Sequence, residues 1–63
     1  MEIITTILTD TVTGVSTVFE RVTTALYTSF YIDLRKVNRE EYYRVHDILI
    51  SRGYTSKVYR ERR

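Results

Sequence analysis

The sequence predicts a small α+β domain in which a long N-terminal amphipathic helix precedes a compact βαβ unit, in the order α-β-α-β. Three observations lead to this prediction. Apolar residues recur at steps of three and four in the first half, apolar and polar residues alternate around residue 32, and helix start and stop signals bracket residues 38–52. With 63 residues, no proline and two glycines, the chain has no evident linker. Residues 1–63 are therefore predicted to form a single domain.

The two halves of the chain differ in composition. Residues 1–30 are rich in threonine and weakly acidic, with one Arg against three Asp/Glu, whereas residues 31–63 are basic, with nine Lys/Arg against five Asp/Glu. A domain of this size buries only about 60% of the surface that its unfolded chain exposes, so its stability is marginal. Because the chain has no disulfide to reinforce it, we expect it to form a homodimer or a higher oligomer.

The first element is predicted as one helix near residues 3–27. Its apolar stripe is the predicted oligomer or partner interface, since the polar positions between are mostly uncharged hydroxyls. Threonine and valine favour strands over helices, and Thr13-Gly14 suits a hairpin turn, so an N-terminal β-hairpin giving ββ(β)αβ is the alternative. The stripe consists of Ile4, Leu8, Val15, Phe19, Val22 and Leu26.

The second half is predicted as strand, helix and strand. Phe30, Ile32 and Leu34 alternate with polar residues and indicate a strand with one buried face. Asn38 is placed to cap a helix over residues 38–52, and Gly53 to end it. Residues 55–60 then form a second strand, parallel to the first through a right-handed crossover. Because two strands alone are not a stable sheet, dimerisation is expected to complete it.

Several classes of chemistry are excluded or disfavoured by composition. The chain has no cysteine, a single histidine (His46) and no glycine-rich phosphate loop. We therefore predict no catalytic residues, no metal site, no cofactor and no enzymatic activity. No apolar run is long enough to span a bilayer and no signal peptide opens the sequence, so the expected location is cytoplasmic.

Nucleic-acid binding is an alternative function that rests on basic residues. On parallel neighbouring strands, the cluster that ends the first strand and the cluster in residues 57–63 would share one edge of the domain and could engage phosphates. The candidate nucleic-acid-binding residues are Arg35, Lys36, Arg39, Lys57, Tyr59, Arg60, Arg62 and Arg63.

The function predicted from the sequence is that of a non-enzymatic, self-associating interaction module that acts by protein–protein binding. Its protein partner is not identified by the sequence. A short chain without cysteine or proline is typical of small viral or mobile-element accessory proteins. Membrane-surface association is a second alternative, although the polar face of the predicted N-terminal helix lacks the Lys/Arg belt of peripheral helices.

Overall fold

The computed structural model describes residues 1–63 and shows one five-stranded sheet with a single helix on one face. The elements are β1 (Glu2–Thr9), β2 (Ser16–Thr23), β3 (Thr28–Ile32), β4 (Arg35–Val37), α1 (Arg39–Ser51) and β5 (Thr55–Arg62). The strand order is β4-β3-β2-β1-β5, and every neighbouring pair is antiparallel. The predicted α+β fold with a long N-terminal helix is therefore wrong, because the protein begins with a strand and is mostly β.

Residues 2–23 form a β-hairpin rather than a helix. Ile3 and Ile7 lie on one face of β1, whereas Ile4 and Leu8 lie on the other, since alternate strand residues point to opposite faces. This two-sided apolar pattern gives the same steps of three and four as a helical stripe. The threonine and valine content, which favours strands, is the signal that the periodicity obscured.

The loop between β1 and β2 is held by hydrogen bonds to one aspartate. The Asp10 carboxylate accepts from the backbone N–H groups of Val12 at 2.8 Å and of Thr13 at 3.4 Å. These hydrogen bonds, with that from Val12 the stronger, hold the pKa of Asp10 below its usual range. Gly14 has φ of +77°, a left-handed conformation that favours glycine. The Thr-Gly pair therefore does turn a hairpin.

The predicted strand through Leu34 ends earlier than expected. Asp33 and Leu34 have φ of +49° and +68° and form the turn between β3 and β4. Leu34, expected on the buried face with Phe30 and Ile32, is 85% exposed. The Asp33 carboxylate accepts a hydrogen bond from the N–H of Val18 at 3.0 Å and so joins the turn to β2.

The helix is confirmed, with both of its predicted end signals. The Asn38 side chain accepts from the backbone N–H of Glu41 at 2.8 Å, as an N-cap does. At the other end Gly53 has φ of +89°, and its N–H donates to the carbonyl of Ile50 at 3.0 Å. The N–H of Tyr54 donates to the carbonyl of Leu49 at 3.2 Å, which completes a Schellman motif.

The predicted parallel βαβ unit is wrong in its pairing. β5 joins the sheet beside β1 and antiparallel to it, whereas β4 lies at the opposite edge. α1 therefore carries the chain from one edge of the sheet to the other. It begins near Phe30 of β3, where Arg39 lies 5.4 Å from the ring centroid, and ends where β5 starts beside Thr9. The helix crosses the sheet diagonally and leaves one corner uncovered.

The core is small and mostly aromatic. Only six of the 63 residues are buried, and the buried hydrophobic residues are Leu8, Phe19, Phe30 and Tyr42. The Tyr42 ring lies 5.5 Å from Phe19 and 5.0 Å from Phe30, in edge-on and tilted arrangements that aromatic pairs favour. Burial raises the pKa of the Tyr42 hydroxyl above its usual range. So small a core leaves many aliphatic side chains at the surface.

Candidate interaction surface

The outer edge of β5 is a long strand edge with no neighbouring strand. All eight residues of β5 are exposed, and the strand hydrogen-bonds only to β1. The opposite edge, β4, is three residues long. A long edge strand presents a row of unpaired N–H and C=O groups that another strand can join. We call this row the β5 edge.

The hydrogen-bond pattern shows which β5 residues supply the β5 edge. The N–H of Arg63 donates to the carbonyl of Met1 at 2.8 Å, so odd-numbered residues of β5 bond to β1. The N–H of Asp10 donates to the carbonyl of Val15, so even-numbered residues of β1 bond to β2. This leaves the odd-numbered residues of β1 to bond to β5, which agrees with the contact between Met1 and Arg63. The outward N–H and C=O groups consequently belong to Ser56, Val58, Arg60 and Arg62.

The corner that α1 leaves uncovered carries a cluster of cations on the helix side of the sheet. Arg60 and Arg62 lie opposite Ile4 and Glu2 on this face. The Glu2 carboxylate accepts from Nε of Arg62 at 3.1 Å and lies 3.7 Å from Nε of Arg60. Both arginine side chains are more than half exposed. We call Glu2, Ile4, Arg60 and Arg62 the arginine corner.

The helix-side rim of the arginine corner is formed by Arg21 and Tyr43. Arg21 lies on β2 opposite Ile4, and its Nη1 donates to the hydroxyl of Tyr43 at 3.0 Å. The row across the sheet therefore places Arg21 and Arg60 on either side of Ile4, about 10 Å apart at the usual strand spacing. The rim adds one more cation and an aromatic ring to the same surface.

The sheet face opposite α1, the open face, is partly apolar but interrupted. Thr5 and Glu20 pair with each other at its centre, and Tyr31 and Tyr59 flank them in the same row. A protein surface that excluded water from this face would bury the charge of Glu20 without a partner, and burial of an unpaired charge is unfavourable in free energy. The aliphatic residues on either side of this central row are Ile3, Ile7, Val18 and Val22.

The structure separates the two basic clusters that were predicted to share an edge. Arg35 and Lys36 lie on β4, at the opposite edge of the sheet from Lys57–Arg63, because β5 pairs with β1. Arg39 begins α1 over the β3 side. Within β5, Lys57 and Tyr59 point to the open face, and Arg60 and Arg62 to the helix side. Arg63 lies beyond the strand, with its Nε 2.6 Å from the Glu61 carboxylate, which raises the pKa of the guanidinium.

The six residues of the predicted interface stripe do not lie on one surface. Leu8 and Phe19 are fully buried in the core. Ile4 is in the arginine corner and Val22 is on the open face. The other two, Val15 and Leu26, are 64% and 88% exposed in loops at opposite ends of the sheet.

The other features of the protein give weaker support for a functional site. The pocket in the structure has a volume of about 210 Å³. It is lined by Ile32, Asp33, Arg35, Val37, Glu41 and Val45. His46 packs edge-on at 5.7 Å from Phe19, with Nδ1 3.2 Å from the Asp47 carboxylate. No group of three His, Asp or Glu side chains is arranged to hold a metal ion. The helix is too short and too polar to cross a membrane.

Sequence reasoning named Arg60 and Arg62 but missed Glu2 and Arg21, the residues that complete the corner and its rim. No local sequence signal identifies these two residues, because their contacts come from the tertiary structure: Glu2 and Arg62, for example, are 60 residues apart in the chain. No protein-family model, curated protein or solved structure matches the sequence.

Proposed function

We propose that this protein is a non-enzymatic interaction module that forms a homodimer by joining the β5 edges of two copies. The observation that carries this proposal is the eight-residue strand with a free backbone edge and no proline. Two five-stranded sheets would then form one continuous sheet of ten strands. Pairing of an exposed edge with a second strand is a recurrent mode of protein association.

The symmetry of such a pair restricts its register. A two-fold axis perpendicular to the sheet makes the strands antiparallel and keeps each residue on its own face. Residues opposite each other must therefore both be odd-numbered or both be even-numbered, so one residue lies on the axis opposite itself. Centring the pair on Lys57, Arg60 or Glu61 would place like charges together, which is destabilising. Centring on Val58 or Tyr59 avoids this.

Charge complementarity selects Tyr59 as the centre. In this register Lys57 lies opposite Glu61 of the second copy, and the symmetric pair repeats the contact. The even-numbered residues then bond across the junction, in agreement with their outward N–H and C=O groups, and supply about eight hydrogen bonds. The odd-numbered residues form the closer, non-hydrogen-bonded pairs, where side-chain contacts are strongest. Centring on Val58 gives no Lys–Glu contact.

Proline substitution at an outward position tests the proposal. Val58→Pro removes an outward N–H and places the proline ring against the incoming strand, whereas the N–H groups that bond to β1 remain. Val58→Thr is the control, since it keeps the β-branch and the N–H. Sedimentation equilibrium should show concentration-dependent dimers for the native chain and for Val58→Thr. Val58→Pro should remain at the monomer mass of 7.5 kDa.

The interface is formed by one strand from each copy, so the expected dissociation constant lies in the micromolar range of small, transient interfaces. Circular dichroism of Val58→Pro should match that of the native chain, which shows that the monomer is folded. A native chain that stays monomeric at millimolar concentration contradicts the proposal, as does a folded Val58→Pro variant that still dimerises.

A further inference from the structure

We infer that the arginine corners of two copies combine to bind the phosphate backbone of a single-stranded nucleic acid along the β5–β5 junction. This inference rests on the proposed dimer, because one copy supplies only half of the site. It differs from the binding surface predicted from the sequence, which joined β5 residues to Arg35 and Lys36 of the opposite edge.

The symmetry of the dimer aligns four arginines in one row. The two-fold axis keeps both helices on the same side, so Arg60 and Arg62 of each copy face the same space between them. With Tyr59 at the centre, the order along the junction is Arg62, Arg60, Arg60 of the second copy and Arg62 of the second copy. Each step covers two strand residues, or about 7 Å, and the whole row about 20 Å.

The spacing of this row suits one extended strand of nucleic acid. Successive phosphates of an extended single strand lie about as far apart as alternate residues of a β-strand. Arginine can hold a phosphate with two parallel hydrogen bonds, so four consecutive phosphates can each meet one guanidinium. A duplex presents a backbone that curves away from a flat row. Tyr43, at the rim and 37% exposed, adds an aromatic face on which a base could stack.

Electrostatics couples this binding to dimerisation. In the dimer the two Arg60 side chains are diagonal neighbours, roughly 7–8 Å apart, and repel each other. The only carboxylate at each end of the row is Glu2, which already lies close to Arg60 and Arg62. A polyanion along the row would remove this repulsion. Because it would bind the dimer better than the monomer, it must also strengthen dimerisation.

Fluorescence anisotropy of a labelled oligouridylate, titrated with the protein across a salt series, tests the inference. Four phosphate contacts on a single strand predict a slope of log affinity against log salt of about −2.8. Arg62→Ala removes two of the four contacts in the dimer and should reduce the slope to about −1.4. Arg44→Ala is the control, since it removes the same charge from an exposed position of α1 that is not one of the four corner residues.

Two further variants separate this inference from the proposed dimer. Glu2→Gln frees both arginines from their carboxylate and should strengthen binding. Val58→Pro, with its monomeric corner, should bind with about half the native slope. Oligouridylate should also shift the native chain toward the dimer in sedimentation experiments.

The outcomes distinguish the two proposals. A chain that dimerises but does not bind oligouridylate at low salt overturns this inference and leaves the dimer intact. A chain that never dimerises, even with oligouridylate present, overturns both. Equal losses from Arg62→Ala and Arg44→Ala would show that net charge alone is responsible. Equal binding of a duplex or of polyglutamate would show that the row does not select a single nucleic-acid strand.

Discussion

Exchanging the charges that flank Tyr59 tests the register of the proposed dimer. Lys57→Glu replaces both Lys–Glu contacts across the junction with contacts between two carboxylates, and Glu61→Lys replaces them with contacts between two ammonium groups. Each variant alone should therefore dimerise more weakly than the native chain. A mixture of the two should dimerise well, because the introduced charges then lie opposite native charges of the other sign.

The magnitude follows from the number of pairs. A cross-strand ion pair contributes about 0.2–1 kcal/mol, and a like-charge pair costs a similar amount. Each single variant loses two attractive pairs and gains two repulsive ones, so dimerisation should weaken by about 1–4 kcal/mol. This corresponds to an increase in dissociation constant of roughly fivefold to several hundredfold. The effect should decrease with added salt, because these side chains are exposed.

Native mass spectrometry with one variant labelled with heavy nitrogen measures the outcome directly. Mixed dimers should greatly outnumber both like-with-like dimers, and the double variant Lys57→Glu/Glu61→Lys should dimerise as the native chain does. Glu61 also contacts Arg63 of its own chain at 2.6 Å. Loss of that contact affects Glu61→Lys alone and cannot produce preferential mixing. If the two variants mix statistically, Lys57 and Glu61 do not face each other and the register is wrong.

Four further predictions concern the fold. Phe19→Ala should lower the free energy of unfolding by about 3–5 kcal/mol because Phe19 is fully buried. A chain of 63 residues has a total free energy of unfolding of about 3–9 kcal/mol, so urea denaturation should show that the variant is largely unfolded. Leu34→Gly should stabilise the protein by about 1 kcal/mol and raise its melting temperature, since Leu34 is exposed at φ of +68°; an unchanged or lower melting temperature contradicts this. Asn38→Ala removes the N-cap and should lower the free energy of unfolding by about 1 kcal/mol in the same assay. The pKa of Tyr42 is raised in the folded state, so the neutral hydroxyl contributes to the free energy of unfolding. This contribution is complete below the ordinary tyrosine pKa of 10.0 and is lost as the pH rises through the raised pKa. The urea midpoint should fall in that alkaline range for the native chain and less so for Tyr42→Phe; equal losses would rule out Tyr42 as the cause.

The sequence by itself determined the helix and its boundaries. Its N-cap at Asn38 and its stop at Gly53 depend on residues within one turn of each end, and the structure confirms both. Such local signals act through hydrogen bonds between near neighbours in the chain, so no tertiary information is needed to interpret them. The basic character of β5 was likewise visible in the sequence, as was the likeness of Thr13-Gly14 to a turn.

The pattern in residues 3–27 was compatible with two structures, and only the tertiary structure decided between them. A step of four returns to the same side of a helix and also to the same face of a strand. Ile3 and Ile7 therefore share the open face while Ile4 and Leu8 share the helix side. Val15 and Leu26 reinforced the apparent stripe although both are exposed in loops. Periodicity favoured a helix here because it does not reveal whether one face or two are apolar.

The pairing of β5 with β1 was decided by the tertiary structure alone. It joins residues that are 46 to 60 positions apart, from Thr9 and Thr55 to Glu2 and Arg62, and no local signal specifies it. This one pairing separates the two basic clusters, forms the arginine corner and leaves β5 as the free edge. The sequence determined which side chains carry charge, but the sheet order determined which of them meet, because burial of Leu8 and Phe19 beneath α1 depends on distant segments packing together.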